Sequence, residues 1–97
     1  MTWKTSDAAA LAGCSKSLAT LLVREGVIRP AVVARGTGDQ NRFDLGNVKQ
    51  LKAYSIIRQR HGDGSVARGL VARLLPQITA DTQYIPGNVE ENIALEV

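Results

Sequence analysis

Lys16, Ser17, Thr20 and Arg24 fall within Lys16 to Glu25, a stretch whose other residues are mostly apolar. At helical period Leu18, Leu21 and Leu22 occupy the i, i+3, i+4 positions of a buried stripe, which leaves those four on the outward side. Two short hydroxyl side chains between two cations suit a duplex. The hydroxyls of Ser17 and Thr20 can touch base edges or phosphates, while Lys16 and Arg24 can reach either. Further along, Arg35 and Arg42 bracket Gly36-Thr37-Gly38-Asp39. Arginine suits such a place because its planar fork binds phosphate and tolerates a narrow minor groove. Arg29 and Lys4 stand as further backbone contacts.

The elements that must position these residues follow in a recognisable order. Thr5 and Ser6 offer an N-cap before a short helix, Asp7 to Ala12, which Gly13 stops by taking the left-handed conformation. Ser15 caps the next helix, and Gly26 ends it. Two short helices separated by Gly13-Cys14-Ser15 make a helix-turn-helix. Pro30 forbids helix continuation. Ala31 to Arg35 and Asn41 to Phe43 then form a hairpin with Arg35 and Arg42 near its tip. Asp44 caps a third helix, Leu45 to about Arg60, with Leu45, Val48, Leu51 and Ile56 on one side and Lys49 and Lys52 exposed. Ser65 caps a fourth, whose stripe runs from Val66 through Leu70, Val71, Leu74 and Leu75 to Ile78 and which kinks or ends near Leu75 because of Pro76.

The expected fold is therefore mainly α with a small β-hairpin wing: a winged helix-turn-helix with an additional C-terminal helix and tail. Residues 1–60 would form the DNA-binding unit. Residues 61–97 would serve packing or oligomerisation, with a homodimer motivated by the stripe from Val66 to Ile78. Pro86-Gly87 marks a turn in an apolar-acidic tail containing Val89, Ile93, Leu95 and Val97, either a short helix or strand or a segment that orders on a partner.

Charge agrees with this division. The 97 residues carry a net charge of +3, but up to Arg60 ten Lys and Arg face four acids, a balance of +6, and from His61 onward two face five, a balance of −3. A basic front favours a polyanion. Cys14 is the one cysteine and His61 the one histidine, too few for a disulfide or a zinc site. No apolar run approaches the roughly 18 residues of a membrane span. No nucleophile-base set, paired carboxylates or phosphate-cradling glycine loop is present, and Gly36-x-Gly38 is too short to count. The expectation is a protein that is not an enzyme, has no cofactor, metal or membrane association, and works in a prokaryotic or viral cytoplasmic setting. Trp3 reads as an anchor of the N-terminus on the core, Cys14 as a buried turn residue and His61 as an exposed linker residue.

About the first 60 residues resemble the DNA-binding domain of MerR-type regulators and of related phage excisionase-like winged helices. The resemblance is carried by Ala12-Gly13-Cys14-Ser15 in the turn and by Arg24-Glu25-Gly26-Val27-Ile28-Arg29-Pro30 leading into the wing. Ala9, Leu11, Arg42-Phe43, Val48 and Leu51 add to it. It implies docking of the second helix in the major groove and of the wing on the backbone or minor groove. The chain departs from the MerR pattern where that second helix carries Thr-Leu-Arg-Tyr-Tyr: Leu18-Ala19-Thr20-Leu21-Leu22 stand here, with Thr20 in the arginine position. The long dimerising helix, the effector domain and the paired cysteines of metal sensors have no counterpart.

Three functional classes follow. The leading one is a sequence-specific transcriptional regulator, a small prokaryotic or phage repressor or control protein bound to double-stranded DNA. The second is an architectural protein of the excisionase or phage terminase small-subunit kind, which bends or marks DNA for another machine. The third is an antitoxin-type interaction module whose acidic tail covers a basic protein partner, separable from DNA binding by truncation after about Ala80.

Overall fold

Two left-handed glycines divide the first third of the chain. In the computed structural model, which describes residues 1–36, 40–85 and 94–97, strand β1 (Trp3–Lys4) runs into helix α1 (Thr5–Ala12), and helix α2 (Lys16–Arg24) follows after a short turn. Gly13 (φ 78°) and Gly26 (φ 76°) lie just past the two helices, in a conformation that L side chains adopt only with strain. Each lets the next amide return to the helix it has left: Cys14 N–H donates to Ala9 O at 3.0 Å and Val27 N–H to Leu22 O at 2.9 Å. Ser15 caps α2 as expected, its Oγ accepting from Leu18 N–H at 3.1 Å.

The start of α1 differs from the expected cap. Lys4 is held extended by pairing in a two-stranded sheet, so the switch to helical backbone falls directly after it, and Thr5 and Ser6 become first-turn residues with no side-chain cap. The partner is β2 (Arg42–Phe43), antiparallel to β1 with Trp3 opposite Phe43 and Lys4 opposite Arg42. The other edge of β2 forms the expected hairpin only as a single bridge, with Val32 N–H to Arg42 O at 3.1 Å and Arg42 N–H to Val32 O at 2.8 Å. Ala34 N–H donates to Asn41 Oδ1 at 2.7 Å beyond it. Thr37, Gly38 and Asp39 of the expected turn lie outside the described residues. Trp3 packs half-buried against the core, as an anchor should.

Helix α3 (Leu45–His61) begins with a capping box: Asp44 Oδ1 accepts from Asn47 N–H at 2.8 Å, and Asn47 Oδ1 accepts from Asp44 N–H at 3.0 Å. Asn47 also reaches out of its helix. Its Oδ1 accepts from Ala31 N–H at 3.0 Å and its Nδ2 donates to Arg29 O at 2.9 Å, which fixes the segment leaving α2. One buried amide thus satisfies backbone groups on both sides of Pro30 and at the start of α3.

A single apolar cluster joins all the elements. Ala8, Ala9 and Ala12 of α1 are small enough for the helix to lie close against α3, where Val48 and Leu51 are fully buried beside Leu22, Ile28 and Phe43. The buried line of α2 is Ala19 and Leu22 with Leu18 and Val23 at its flanks; Leu21 is half-buried and stands off the cluster, so the helix is rotated from the expected leucine stripe. On α3, Ala53 and Ile57 are buried, with Ile56 only flanking.

The C-terminal part explains the largest departures. Helix α4 (Ser65–Leu74) starts one residue after its N-cap Gly64, so Ser65 is inside the helix and caps nothing, and α4 gives way to a 3-10 turn (Leu75–Gln77) at Pro76. Leu74, Leu75 and Ile78 are buried in the chain's own core and Val66 is 66% exposed, so most of the stripe that motivated a homodimer is consumed within the chain. The segment after Ile78 then crosses α3. Gly46 makes room for it, since a Cβ there would meet Ala80 N at 3.2 Å. Lys49, expected to be exposed, is 9% exposed and donates to Ala80 O at 2.8 Å and Thr82 O at 2.6 Å. Lys52, expected likewise, is half-buried and donates to Glu96 O. Tyr84 and Ala94 form an antiparallel bridge, and Ile85 and Leu95 are buried. The tail is thereby part of the core, while Pro86, Gly87, Val89 and Ile93 lie outside the described residues.

Replacing Asn47 by Ala removes the reciprocal half of the cap and leaves Ala31 N–H and Arg29 O without their side-chain partners. We expect Asn47→Ala to lose about 2–4 kcal/mol of stability in urea unfolding, the sum of a cap and of buried backbone groups left unsatisfied. A loss within about 0.5 kcal/mol, the range of ordinary surface changes, would contradict the role given to this residue.

Candidate nucleic-acid interface

The buried side of α2 determines its free side. With Ala19 and Leu22 facing inward, Lys16, Ser17, Thr20 and Arg24 are all exposed, at positions one and four residues apart on one face. Between Ser15 and Glu25 there is no acid. Lys16 occupies the first turn, where the helix dipole disfavours a cation, so helix stability does not account for it. Ser15 takes the Leu18 amide, while the amides of Lys16 and Ser17 belong to the set that a helix start leaves without an intrahelical partner. Positive side chain and open N–H groups together make a surface for an anion.

The remaining expected residues sit elsewhere. Arg35 and Arg29 are exposed along the segment that leaves α2, with Arg29 positioned through its carbonyl by Asn47. Lys4 is exposed on β1 opposite Arg42. Arg42 departs from its expected place at a hairpin tip: it is half-buried in the middle strand position between Lys4 and Val32, where its Nε donates to Thr2 Oγ1 at 3.1 Å and its Nη2 to Thr2 O at 3.0 Å. The cause is the unexpected strand β1, which brings the N-terminus beside β2. Two donors of this guanidinium are spent on the fold.

Past Glu25, a groove of about 660 Å³ opens between the C-terminal end of α2 and the corner joining α3 to α4. Tyr54, Val71 and Leu75 line it, and Arg58 and Arg68 lie across from Glu25 and Gly26. Arg58 Nε is 2.9 Å from Asp63 Oδ1 in an exposed pair, while Arg68 is exposed on α4. Sequence reading names neither arginine as a contact: Arg58 falls at the end of the expected DNA-binding unit, and Arg68 in the part expected to serve packing or oligomerisation. The available signal was the scarcity of acids: Asp63 is the one acid between Leu45 and Ala80.

Cys14, in the turn between α1 and α2, is half-buried. Burial pushes its thiol above the ordinary value. Among the described residues no group of His, Cys, Asp and Glu is placed to hold a metal, and no helix is long and apolar enough to cross a membrane. Comparison of the chain with protein-family models, curated proteins and solved structures gives no match.

Two measurements test this geometry. Arg42→Gln is expected to cost about 1 kcal/mol, a typical hydrogen-bond contribution, and to shift the emission of Trp3, the one tryptophan, to longer wavelength as β1 loosens. An unchanged spectrum and unfolding midpoint would mean that the Thr2 contacts hold nothing. For Cys14 the folded state binds the thiol proton more tightly than the unfolded chain, so its contribution is fully present below the ordinary value of 9.0 and is lost as pH rises past it. The urea midpoint of the wild type should therefore fall relative to that of Cys14→Ala as pH is raised from about 8 to about 10, through the thiol range; parallel curves would refute the shift.

Proposed function

We propose that this chain is a sequence-specific DNA-binding protein of the winged helix-turn-helix type, acting as a small regulator of prokaryotic or phage origin. In this reading α2 enters the major groove, and the segment around Arg35 leans on the adjacent backbone. The observation that carries the proposal is the exposed, acid-free face of α2, with Lys16, Ser17, Thr20 and Arg24 displayed from a helix whose other side is held by Ala19 and Leu22. A left-handed glycine turn sets α1 behind it, and Asn47 fixes the segment that leaves it. Phosphate contacts from Lys16, Arg24 and Arg35 would set register, while Ser17 and Thr20 would read base edges.

Thr20 stands where the MerR pattern has an arginine, so its short hydroxyl allows closer approach of α2 to the groove and forgoes a long-range phosphate contact. Arg42, committed to Thr2, contributes less to the wing than its sequence position implies. The backbone grip on this side therefore falls mainly to Arg35, Arg29 and Lys4.

The test is in vitro selection of genomic fragments by the purified protein, followed by titration of the winners at several salt concentrations. A shared motif bound far more tightly than random DNA is the expected result. Thr20→Ala is expected to relax preference at one or two base pairs, by about 1–3 kcal/mol of discrimination. Arg24→Gln is expected either to do the same or, as a phosphate contact, to weaken all sequences alike and lower the salt slope by about one. Enrichment without any motif would favour the architectural role, and absence of binding to any duplex would refute the proposal.

A further inference from the structure

We infer that the corner between α3 and α4 is a second phosphate-binding surface, centred on Arg58 and Arg68, which grips the backbone of the duplex whose groove receives α2. The inference rests on the reading of α2 given above and extends the contact to two arginines outside the expected recognition set, one at the end of α3 and one on α4.

The charge inventory is the first observation. From Leu45 to Ala80 the chain has six Lys and Arg against one acid, Asp63. Lys49 and Lys52 are used on backbone carbonyls of the C-terminal segment, whereas Arg58, Arg60, Arg68 and Arg73 are exposed. The second observation is position. Arg58 and Arg68 line the groove whose opposite wall is Glu25 and Gly26, the residues that directly follow Arg24. A backbone strand passing the basic last turn of α2 meets these two guanidinium groups next. Glu25 and Asp63 are the acids among the residues that line the groove.

Helix stability accounts for some of these cations and not for others. Arg58 and Arg60 lie in the last turn of α3, where the dipole favours positive charge. Arg68 lies in the first turn of α4, where it is disfavoured, and that turn has no acid to offset it. The partner of Arg58 is also informative. Its pair with Asp63 is exposed on both sides, with 46% and 72% of the side chains accessible, so water screens it and a phosphate exchanges for the carboxylate at little cost. Asp63 thus holds Arg58 at the groove until a stronger anion arrives.

The experiment uses the full chain, a selected duplex and a random duplex of equal length, titrated over a range of salt. Arg68→Gln is expected to weaken both duplexes by the same several-fold factor and to lower the log–log salt slope by about one. Asp63→Asn is expected to bind both duplexes several-fold more tightly, and this gain should vanish when Arg58→Gln is added. A gain in affinity cannot come from a damaged fold, and circular dichroism melting checks the variant that loses affinity. If the wild type binds while Arg68→Gln and Asp63→Asn leave affinity and slope unchanged, the second surface is refuted, the reading of α2 survives, and an acidic protein segment becomes the occupant to seek. Effects confined to the selected duplex would also overturn it, since phosphate contacts do not discriminate. If the wild type binds no duplex, both readings fall together.

Discussion

Asn47 is the residue on which the orientation of the N-terminal helices depends. A helix start leaves amides without partners, and the backbone around a proline has few ways to satisfy its own groups. Here one side chain answers both needs. Its oxygen serves the Asp44 and Ala31 amides, and its nitrogen serves the Arg29 carbonyl, at 2.9–3.0 Å throughout. Because Asn47 is almost wholly buried, its own amide has little access to water as an alternative partner. The segment from Arg29 to Ala31 is consequently fixed to α3, and α2 can be displayed at a defined angle although among the described residues it has few direct contacts with α3.

Helix α3 is in turn fixed from its other side. Gln50 donates to Leu75 O at 3.2 Å and Ile78 O at 3.3 Å, Lys49 to two carbonyls beyond them and Lys52 to Glu96 O. Three consecutive polar contacts along one helix thus fasten the C-terminal segment, and Ile85 and Leu95 close apolar surface beneath it. A lysine ammonium has three donors and a long apolar stem, which suits it to bind carbonyls from under a crossing chain. The segment satisfies a cation that would otherwise be buried without partners, and the cation satisfies carbonyls that would otherwise be buried without donors. Removing the lysine leaves two partly buried carbonyls without their donor.

The parts of this fold that were legible in the sequence are those set by local chemistry. Gly13 and Gly26 mark helix ends because few other residues tolerate that backbone, Ser15 and Asp44 mark helix starts because their oxygens reach the third amide, and Pro76 marks the end of α4. The failures share a different cause, which is pairing between distant segments. Thr5 reads as a cap until β1 pairs with β2; Arg42 reads as a free wing cation until Thr2 lies beside it; Lys49 reads as a solvated lysine until residues 80 and 82 cross above it. Leucine spacing misplaced the buried line of α2 by about one residue because Ala19, too small to register as a core residue by pattern, is fully buried while Leu21 stands off the cluster. The outward residues of α2 were legible all the same, since a rotation of that size leaves Lys16, Ser17, Thr20 and Arg24 on the solvent side.

This combination bears on where function can reside in so small a domain. The core is assembled from both ends of the chain, and in the proposed reading recognition falls to polar groups on the outside of helices whose inner sides it buries. Exposed cations stand at two places, the face of α2 and the corner of α3 with α4, whereas four of the nine acids lie after α4. Helix α3 connects the two places as one rigid rod of 17 residues, held by Asn47 at its start and reaching the corner with Arg58 in its last turn. The distance along α3 from Asn47 to Arg58 is therefore set by helix geometry, at about 1.5 Å per residue, and not by a loop. The duplex of the proposed reading is an anion of fixed geometry, and such a ligand gains most from a protein whose contacts are rigidly spaced, because less conformational freedom is lost on binding.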